Sequence, residues 1–346
     1  MTTNIPEELT VAPTKNESPQ PKMKLGIQPT GWTNDDFQEI GDDTPYQKIL
    51  EQTEEADFEG GSTGHNYPSH LPSLLADMKS HHLKIASTWA GTAFTTGVNA
   101  EAAFADFQAG VAFLKEVDAQ DVVVAELANA VNQVRTKSAL TERPILNEAQ
   151  WFLLVQLLNR AGKYAKEQKM QLSYHPHVGT GVMTFAEADR LMERTNPNYV
   201  GLCLDTAHLR YGSVIQEQRD GRAHHKLVQV DVAQKQLEDF TKKHASRITH
   251  VHLKNVRGEV LSVAADKNYS FYQAIESGIF TVPGDEGGEL NLDPIVQILK
   301  DVGYKRWLVI EAEQDPANPD PVTKKHVTPL AYARIARGYL RKHLGY

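Results

Sequence analysis

The chain has 346 residues, of which 40% are hydrophobic and 23% charged, the proportions of an ordinary globular protein. Its formal net charge of −8 argues against nucleic acid or an anionic membrane as the main partner, because phosphate binding depends on surplus Lys and Arg. The single cysteine, Cys203, has no partner for an internal disulfide, which points to a reducing compartment and a cytoplasmic protein.

Residues 1–22 are rich in Pro, Thr, Glu and Asn and lack an apolar run of signal-peptide length. They read as a disordered tail ahead of one catalytic domain over 23–346. From "KLGIQP" (24–29) onward, eight short apolar runs recur: that one, then "DFEGGS" (57–62), "LKIASTW" (83–89), "DVVVAEL" (121–127), "MQLSYH" (170–175), "VGLCLD" (200–205), "RITHVHLK" (247–254) and "RWLVIEAE" (306–313). Helical periodicity fills the gaps, as in 147–168, where Trp151, Leu154, Leu158 and Ala161 repeat at three- and four-residue steps, and again around 328–344. No segment has the length and apolarity of a membrane span. Eight strands alternating with helices predict an α/β fold, a single parallel (β/α)₈ barrel of the TIM type. The first strand is not followed by G-x-G-x-x-G, which weakens a Rossmann alternative.

In such a barrel the active site gathers at the C-terminal ends of the strands. "ITHVHLKNVR" (248–257) turns Val251 and Leu253 outward and His250, His252 and Lys254 inward. Other strands end in Glu126, His175, Asp205 with His208 three residues on, and Glu311 with Glu313 on the same face. One strand-end carboxylate is usually a cap or a surface charge. Five ends carrying Glu, His, Asp, His and Glu predict a mixed oxygen and nitrogen site for a divalent metal such as Mn²⁺, Co²⁺, Fe²⁺ or Zn²⁺. Cys203 lies one step deeper than Asp205 and reads as core packing. In "GWTNDD" (31–36), Trp32 can cover a polyol ring while Asn34 and Asp35 bind hydroxyls; an Asx-turn with a packed Trp fits equally well.

The stretches "GIQPTGWTNDD", "YHPHVGTGV", "LDTAHL", "HVHLKNVR", "FTVPGD" and "VIEAEQDPANP" resemble the sugar phosphate isomerase/epimerase superfamily of xylose isomerase-like barrels and, within it, the myo-inosose-2 dehydratase branch. The resemblance spans nearly all of the chain after the tail. It implies that His175, Asp205, His252 and Glu311 hold a divalent metal, Mn²⁺ or Co²⁺ foremost, and that His208 and Arg257 contact substrate, with Glu126 and His177 beside them. It further implies a hydro-lyase of myo-inositol catabolism that removes water from a cyclic ketopolyol, 2-keto-myo-inositol. Two departures stand out: Ser62 occupies the place of an expected glutamate in "FEGGSTG" (58–64), and Pro176 that of a common histidine. The stretch 212–231 lengthens the loop after the sixth strand, and its His224 and His225 read as solvated helix surface.

Dehydrating a hydroxyketone needs a base at the C–H beside the carbonyl, an acid at the departing hydroxyl and a cation for the enolate oxygen. Glu313 is the candidate base, His208 the candidate acid, and Lys254 a further stabiliser of the oxyanion. A ketose epimerase or isomerase shares the first half of this chemistry and is the alternative; a DNA-repair endonuclease is disfavoured by the acidic balance, and a non-catalytic sugar-binding barrel is the third reading, told apart by metal-dependent turnover. Self-association stays open.

Overall fold

The computed structural model describes residues 22–97, 100–219 and 222–346. Of the predicted tail over 1–22, residues 1–21 lie outside the described residues; Lys22 is described and places its ammonium 4.3 Å from the centre of the Tyr346 ring. Thirteen strands follow in chain order: β1 (Lys24–Ile27), β2 (Gly60–Gly61), β3 (Lys84–Ile85), β4 (Ser87–Thr92), β5 (Asp121–Glu126), β6 (Gln171–Tyr174), β7 (Val200–Asp205), β8 (Val214–Arg219), β9 (Arg222–Leu227), β10 (Ile248–Leu253), β11 (Asn255–Val256), β12 (Phe280–Thr281) and β13 (Trp307–Ile310).

Nine of them form one parallel sheet in the order β3-β2-β1-β13-β10-β7-β6-β5-β4. β3 and β4 are successive halves of one run, separated only by Ala86; the first half pairs with β2 and the second with β5. The sheet therefore closes on itself as an eight-stranded barrel. All eight predicted strands are present, and helices connect most of them.

Local chemistry explains the frame. Asn147 and Gln150 form a reciprocal cap at the start of the helix Glu148–Glu167, whose buried stripe includes Trp151, Leu154, Leu158 and Ala161. The last helix, Pro329–Leu344, starts at the Thr328 cap with Pro at its first position and ends at Gly345 in the left-handed conformation. In β2, a Cβ on Gly60 would fall 1.9 Å from the Lys84 carbonyl oxygen and one on Gly61 would fall 2.0 Å from that of Ile27. Only glycine lets this strand enter the ring, and it delivers Ser62 to the barrel mouth.

One expectation changes. The stretch after β7 is an antiparallel hairpin of β8 and β9, so His224 and His225 lie in a strand and not on a helix. The β-branched pair Val214 and Ile215 opens the first strand, and Val214 pairs with Leu227 of the second, which favours strand over helix there. Among the described residues no helix is long and apolar enough to cross a membrane.

Candidate active site

The C-terminal end of the barrel opens into a cavity lined by Gln28, Thr30, Asn34, Asp35, Asp36, Ser62, Ser87, Trp89, His175, His177, His252, Glu311 and Glu313, among others. These come from the ends of most strands, which is where a barrel's alternation leaves side chains without helix contacts. His175, Asp205, His252 and Glu311 bring one ligand atom each to within 4.8 Å of one another.

Each is placed by its local structure. Asp205 ends β7 and caps the short helix Thr206–Tyr211: its Oδ1 accepts from the Ala207 and His208 N–H groups at 2.9 and 2.8 Å. That leaves Oδ2 pointing at the cluster. His175 continues β6 through a hydrogen bond from its N–H to the Val124 carbonyl at 2.7 Å. His252 Nδ1 lies 3.1 Å from His175 Nε2, 2.5 Å from Glu311 Oε2 and 3.8 Å from Asp205 Oδ2. Despite that crowding, Asp205 Oδ2 and Glu311 Oε2 accept no hydrogen bond from the described residues. Two buried, unpartnered carboxylate oxygens beside two imidazole nitrogens are the donor set of a divalent cation, with oxygen and nitrogen ligands in equal number.

Charge balance points the same way. Three buried carboxylates, Asp205, Glu311 and Glu313, surround one ammonium, that of Lys254; one positive against three negative charges leaves a deficit of two when all are ionised. Burial works against ionisation of Asp205, but Lys254, His208 and His175 outweigh it and hold its carboxyl below the usual range. Glu311 is likewise held well below, burial being outweighed by Lys254 and His252. Glu313 is the exception: burial raises it, even against Lys254. His175 is pushed down to about 4 by burial, the neutral state a metal ligand needs. His252 is raised well above the usual imidazole range, since Cys203 and Glu311 outweigh its burial. Without an ion, a proton on His252 meets part of the deficit.

A second group, His177, His208 and Glu313, adjoins the first. Here Lys254 is the resident cation: its Nζ hydrogen-bonds Glu313 and lies 3.0 Å from both Glu311 Oε1 and His208 Nε2. Lys254 and His208 are fully buried and do not line the cavity, whereas His177 and Glu313 do. His208 sits in the first turn of a helix and not on a loop. Burial, His177 and Lys254 lower it well below the usual imidazole range. The expected acid therefore stands behind the cavity wall and not on it.

Three other predicted contacts lie elsewhere. Trp32 is packed in the core with its Nε1–H donating to Gln52 Oε1 at 2.6 Å. Glu126 accepts from the Phe94 and Thr95 N–H groups and from the Thr92 and Thr95 hydroxyls, so it fixes the turn after β4. Arg257 pairs with Asp285 and Asp320 and donates to the Gly278 and Phe280 carbonyls, tying the β11–β12 loops together. Asn34 and Asp35 do line the cavity. Asn34 Oδ1 takes the Asp36 and Phe37 N–H groups at 2.9 Å each, which orients its amide and leaves Nδ2 buried and unpartnered. Asp35 holds His65 at 2.9 Å.

Sequence reading missed Gln28, Thr30, Ser87 and Trp89. Trp89, in β4, is 38% exposed, and its ring centre is 5.5 Å from those of both His175 and His177. It is the aromatic wall that Trp32 was expected to supply; an aromatic in a strand with period-two alternation was the available signal. Cys203 is buried next to His252, as packing predicts.

A barrel whose strand ends converge on a carboxylate–imidazole cluster defines a class, and the chain belongs to the xylose isomerase-like TIM barrel family, whose sequence model matches residues 26–333. Its relatives include proteins named inosose dehydratase from Geobacillus thermodenitrificans, 37% identical over 94% of this chain and 98% of that one, and from Clostridium tetani, 35% identical over 93% and 97%. Similarity of that extent places it with the inosose dehydratases, which are hydro-lyases. Solved structures of the same fold include the IolI protein with a bound zinc atom (TM-score 0.62, 16% identity, 93% of this chain and 98% of that one). An L-ribulose 3-epimerase is similar at TM-score 0.61 and 17% identity, covering 93% and 95%.

Proposed function

We infer that the protein is a cytoplasmic, divalent-metal-dependent dehydratase that removes water from 2-keto-myo-inositol. The observation that carries this is the buried surplus of carboxylate around His175 and His252, opening on a cavity whose other walls are hydroxyl- and amide-bearing, in a chain similar end to end to inosose dehydratases. His175, Asp205, His252 and Glu311 would hold the ion, Mn²⁺ or Co²⁺, which would supply Lewis-acid stabilisation of negative charge on a substrate oxygen.

The chain's own groups divide the remaining work. Glu313 reaches the cavity, and its raised carboxyl makes it a stronger base once ionised, so it takes the proton from the carbon beside the ketone. Lys254 hydrogen-bonds Glu313 and holds it in place. His177, not His208, faces the cavity on the side of Glu313. Its Nδ1 donates to the Val178 carbonyl at 2.8 Å, so in the imidazolium form its Nε2–H gives the proton to the departing hydroxyl, which leaves as water and the ring as neutral imidazole. His208 lies behind it, ring centres 4.0 Å apart, and acts as a positioning group. Asn34 Nδ2 is the donor for a ring hydroxyl, and Trp89 the apolar wall for its C–H face.

The test is incubation of metal-reconstituted protein with 2-keto-myo-inositol in deuterated water. Loss of one water from the product mass, with exchange at the α-carbon, is expected. Exchange with inverted configuration and no loss of mass hands the assignment to an epimerase.

A further inference from the structure

Three consecutive side chains of the loop after β1, Asn34, Asp35 and Asp36, line the cavity, and none of them belongs to the metal cluster. The protein consumes part of each one's hydrogen-bonding capacity. Asp36 Oδ1 accepts from Asn132 Nδ2 and Gln133 Nε2 at 3.0 Å each, which ties this loop to the one that follows β5. Asn34 Oδ1 accepts two backbone N–H groups; because these only donate, the amide can face them only with its oxygen. The nitrogen is the end left over, a buried donor without a partner.

Asp35 is fixed in the complementary sense by His65, in the loop after β2. The His65 backbone N–H at 2.8 Å and its ring Nδ1 at 2.9 Å both meet the same oxygen, Oδ1. A carboxylate only accepts, so Nδ1 is the donor here. Oδ2 takes no bond from the described residues and remains for whatever fills the cavity. His65 is itself held in place. It stands in a turn closed by the Tyr67 N–H on the Gly64 carbonyl at 3.1 Å, and the neighbouring Asn66 Nδ2 donates to the Thr44 carbonyl at 2.9 Å. Adjacent residues thus present one fixed donor and one fixed acceptor, and groups ordered in advance spare a ligand the cost of ordering them. Two neighbouring hydroxyls match the pair, since each hydroxyl can accept or donate.

We propose that His65 is a positioning residue for substrate selection: it sets Asp35 beside Asn34 as an acceptor and donor pair that grips a vicinal diol of the substrate ring. Elimination uses three ring carbons, the ketone and its α- and β-carbons, so the gripped diol lies among the other three. This rests on the dehydratase reading above. The test is steady-state kinetics of the full-length, Mn²⁺-reconstituted protein on 2-keto-myo-inositol and on its three monodeoxy analogues at those carbons, in the parent, His65→Leu, His65→Asn and Asp35→Ala. In the parent, losing the hydroxyl that Asp35 holds should raise KM about 10- to 100-fold, as for a bond to a charged group, with kcat and metal content unchanged; in Asp35→Ala that analogue and the full substrate should have equal KM. His65→Leu should raise KM for the full substrate about three- to tenfold, the worth of one hydrogen bond. His65→Asn, whose amide places an N–H where the imidazole Nδ1–H stands, should restore it. An unchanged KM in His65→Leu, a loss of kcat or metal in place of KM, or the same deoxy penalties in parent and Asp35→Ala overturn the proposal and leave the dehydratase reading standing. If His65→Leu does not fold, the deoxy series in parent and Asp35→Ala decides. A parent that leaves 2-keto-myo-inositol unchanged overturns both.

Discussion

The two ends of the barrel are built from the same residue types and do different things. Strand β10 serves both: His250 and His252 point into the interior two residues apart, ring centres 5.2 Å from each other. At the lower end His250 Nδ1 lies 3.1 Å from Asp121 Oδ2, while Asp121 Oδ1 takes the Arg306 guanidinium. One carboxylate meets one guanidinium, His250 is kept neutral by burial, and both carboxylate oxygens are partnered. At the upper end three carboxylates share one ammonium and two oxygens go unpartnered. A balanced buried cluster closes a fold; an unbalanced one opening on a cavity is a site waiting for charge.

The sharpest way to break this contrast is to remove the upper end's own cation. Lys254→Met leaves Asp205, Glu311 and Glu313 buried with no ammonium and should cost about 3–5 kcal/mol of stability, read from urea unfolding in chelator, with excess Mn²⁺ recovering part of it. A variant as stable as the parent in chelator would show that the charge surplus is not felt.

Next come the groups that line the cavity against those behind them. Glu313→Gln should lower kcat by about 10²- to 10⁴-fold while metal content stays at the parent level. Glu311→Gln should lower both, because it loses a charged oxygen ligand. His208→Asn should spare the metal and lower kcat by less than Glu313→Gln. Equal losses from His208→Asn and Glu313→Gln would return His208 to the acid role.

At the lower end, Asp121→Asn should cost about 1–3 kcal/mol, seen as a lower unfolding midpoint, with Mn²⁺ affinity and KM unchanged. A drop in affinity would mean that the two ends are coupled through β10.

The pH dependence separates the ends further. With His252 raised in the metal-free protein, binding must expel its proton, so Mn²⁺ affinity should fall about tenfold per pH unit below that raised value. The proton on His252 also stabilises the metal-free fold; that contribution is complete below the unfolded-state imidazole pKa and disappears as pH rises through the folded one. His250, lowered by burial, works in the opposite direction. Titrating Mn²⁺ affinity between pH 5 and pH 8 checks this, and a flat profile removes the proton from His252.

The smallest effect belongs to Trp32→Phe, which loses one hydrogen bond to Gln52 and should cost about 1 kcal/mol without moving KM. A raised KM would put Trp32 back at the substrate.

The sequence by itself determined the barrel, because each strand is a short apolar run between amphipathic helices and that alternation depends only on local periodicity. It also named the strand-end residues His175, Asp205, His252, Glu311 and Glu313, since in a parallel barrel every strand delivers its last inward side chain to the same end. What it left undecided was which polar groups near those ends face the cavity. Glu126 ends β5 as Asp205 ends β7, yet one carboxylate is consumed by four donors from the end of β4 and the turn after it, and the other keeps an oxygen free. Trp32 and Trp89 carry the same ring, but only Trp89 sits where the barrel is open. Gln28 had no motif to mark it, because its place in the cavity wall shows only once the closed ring sets it 3.1 Å from a histidine 224 residues away. Periodicity and residue type act along the chain and can be read there; hydrogen-bond satisfaction and exposure depend on what the closed ring brings together, and those the tertiary structure alone decides.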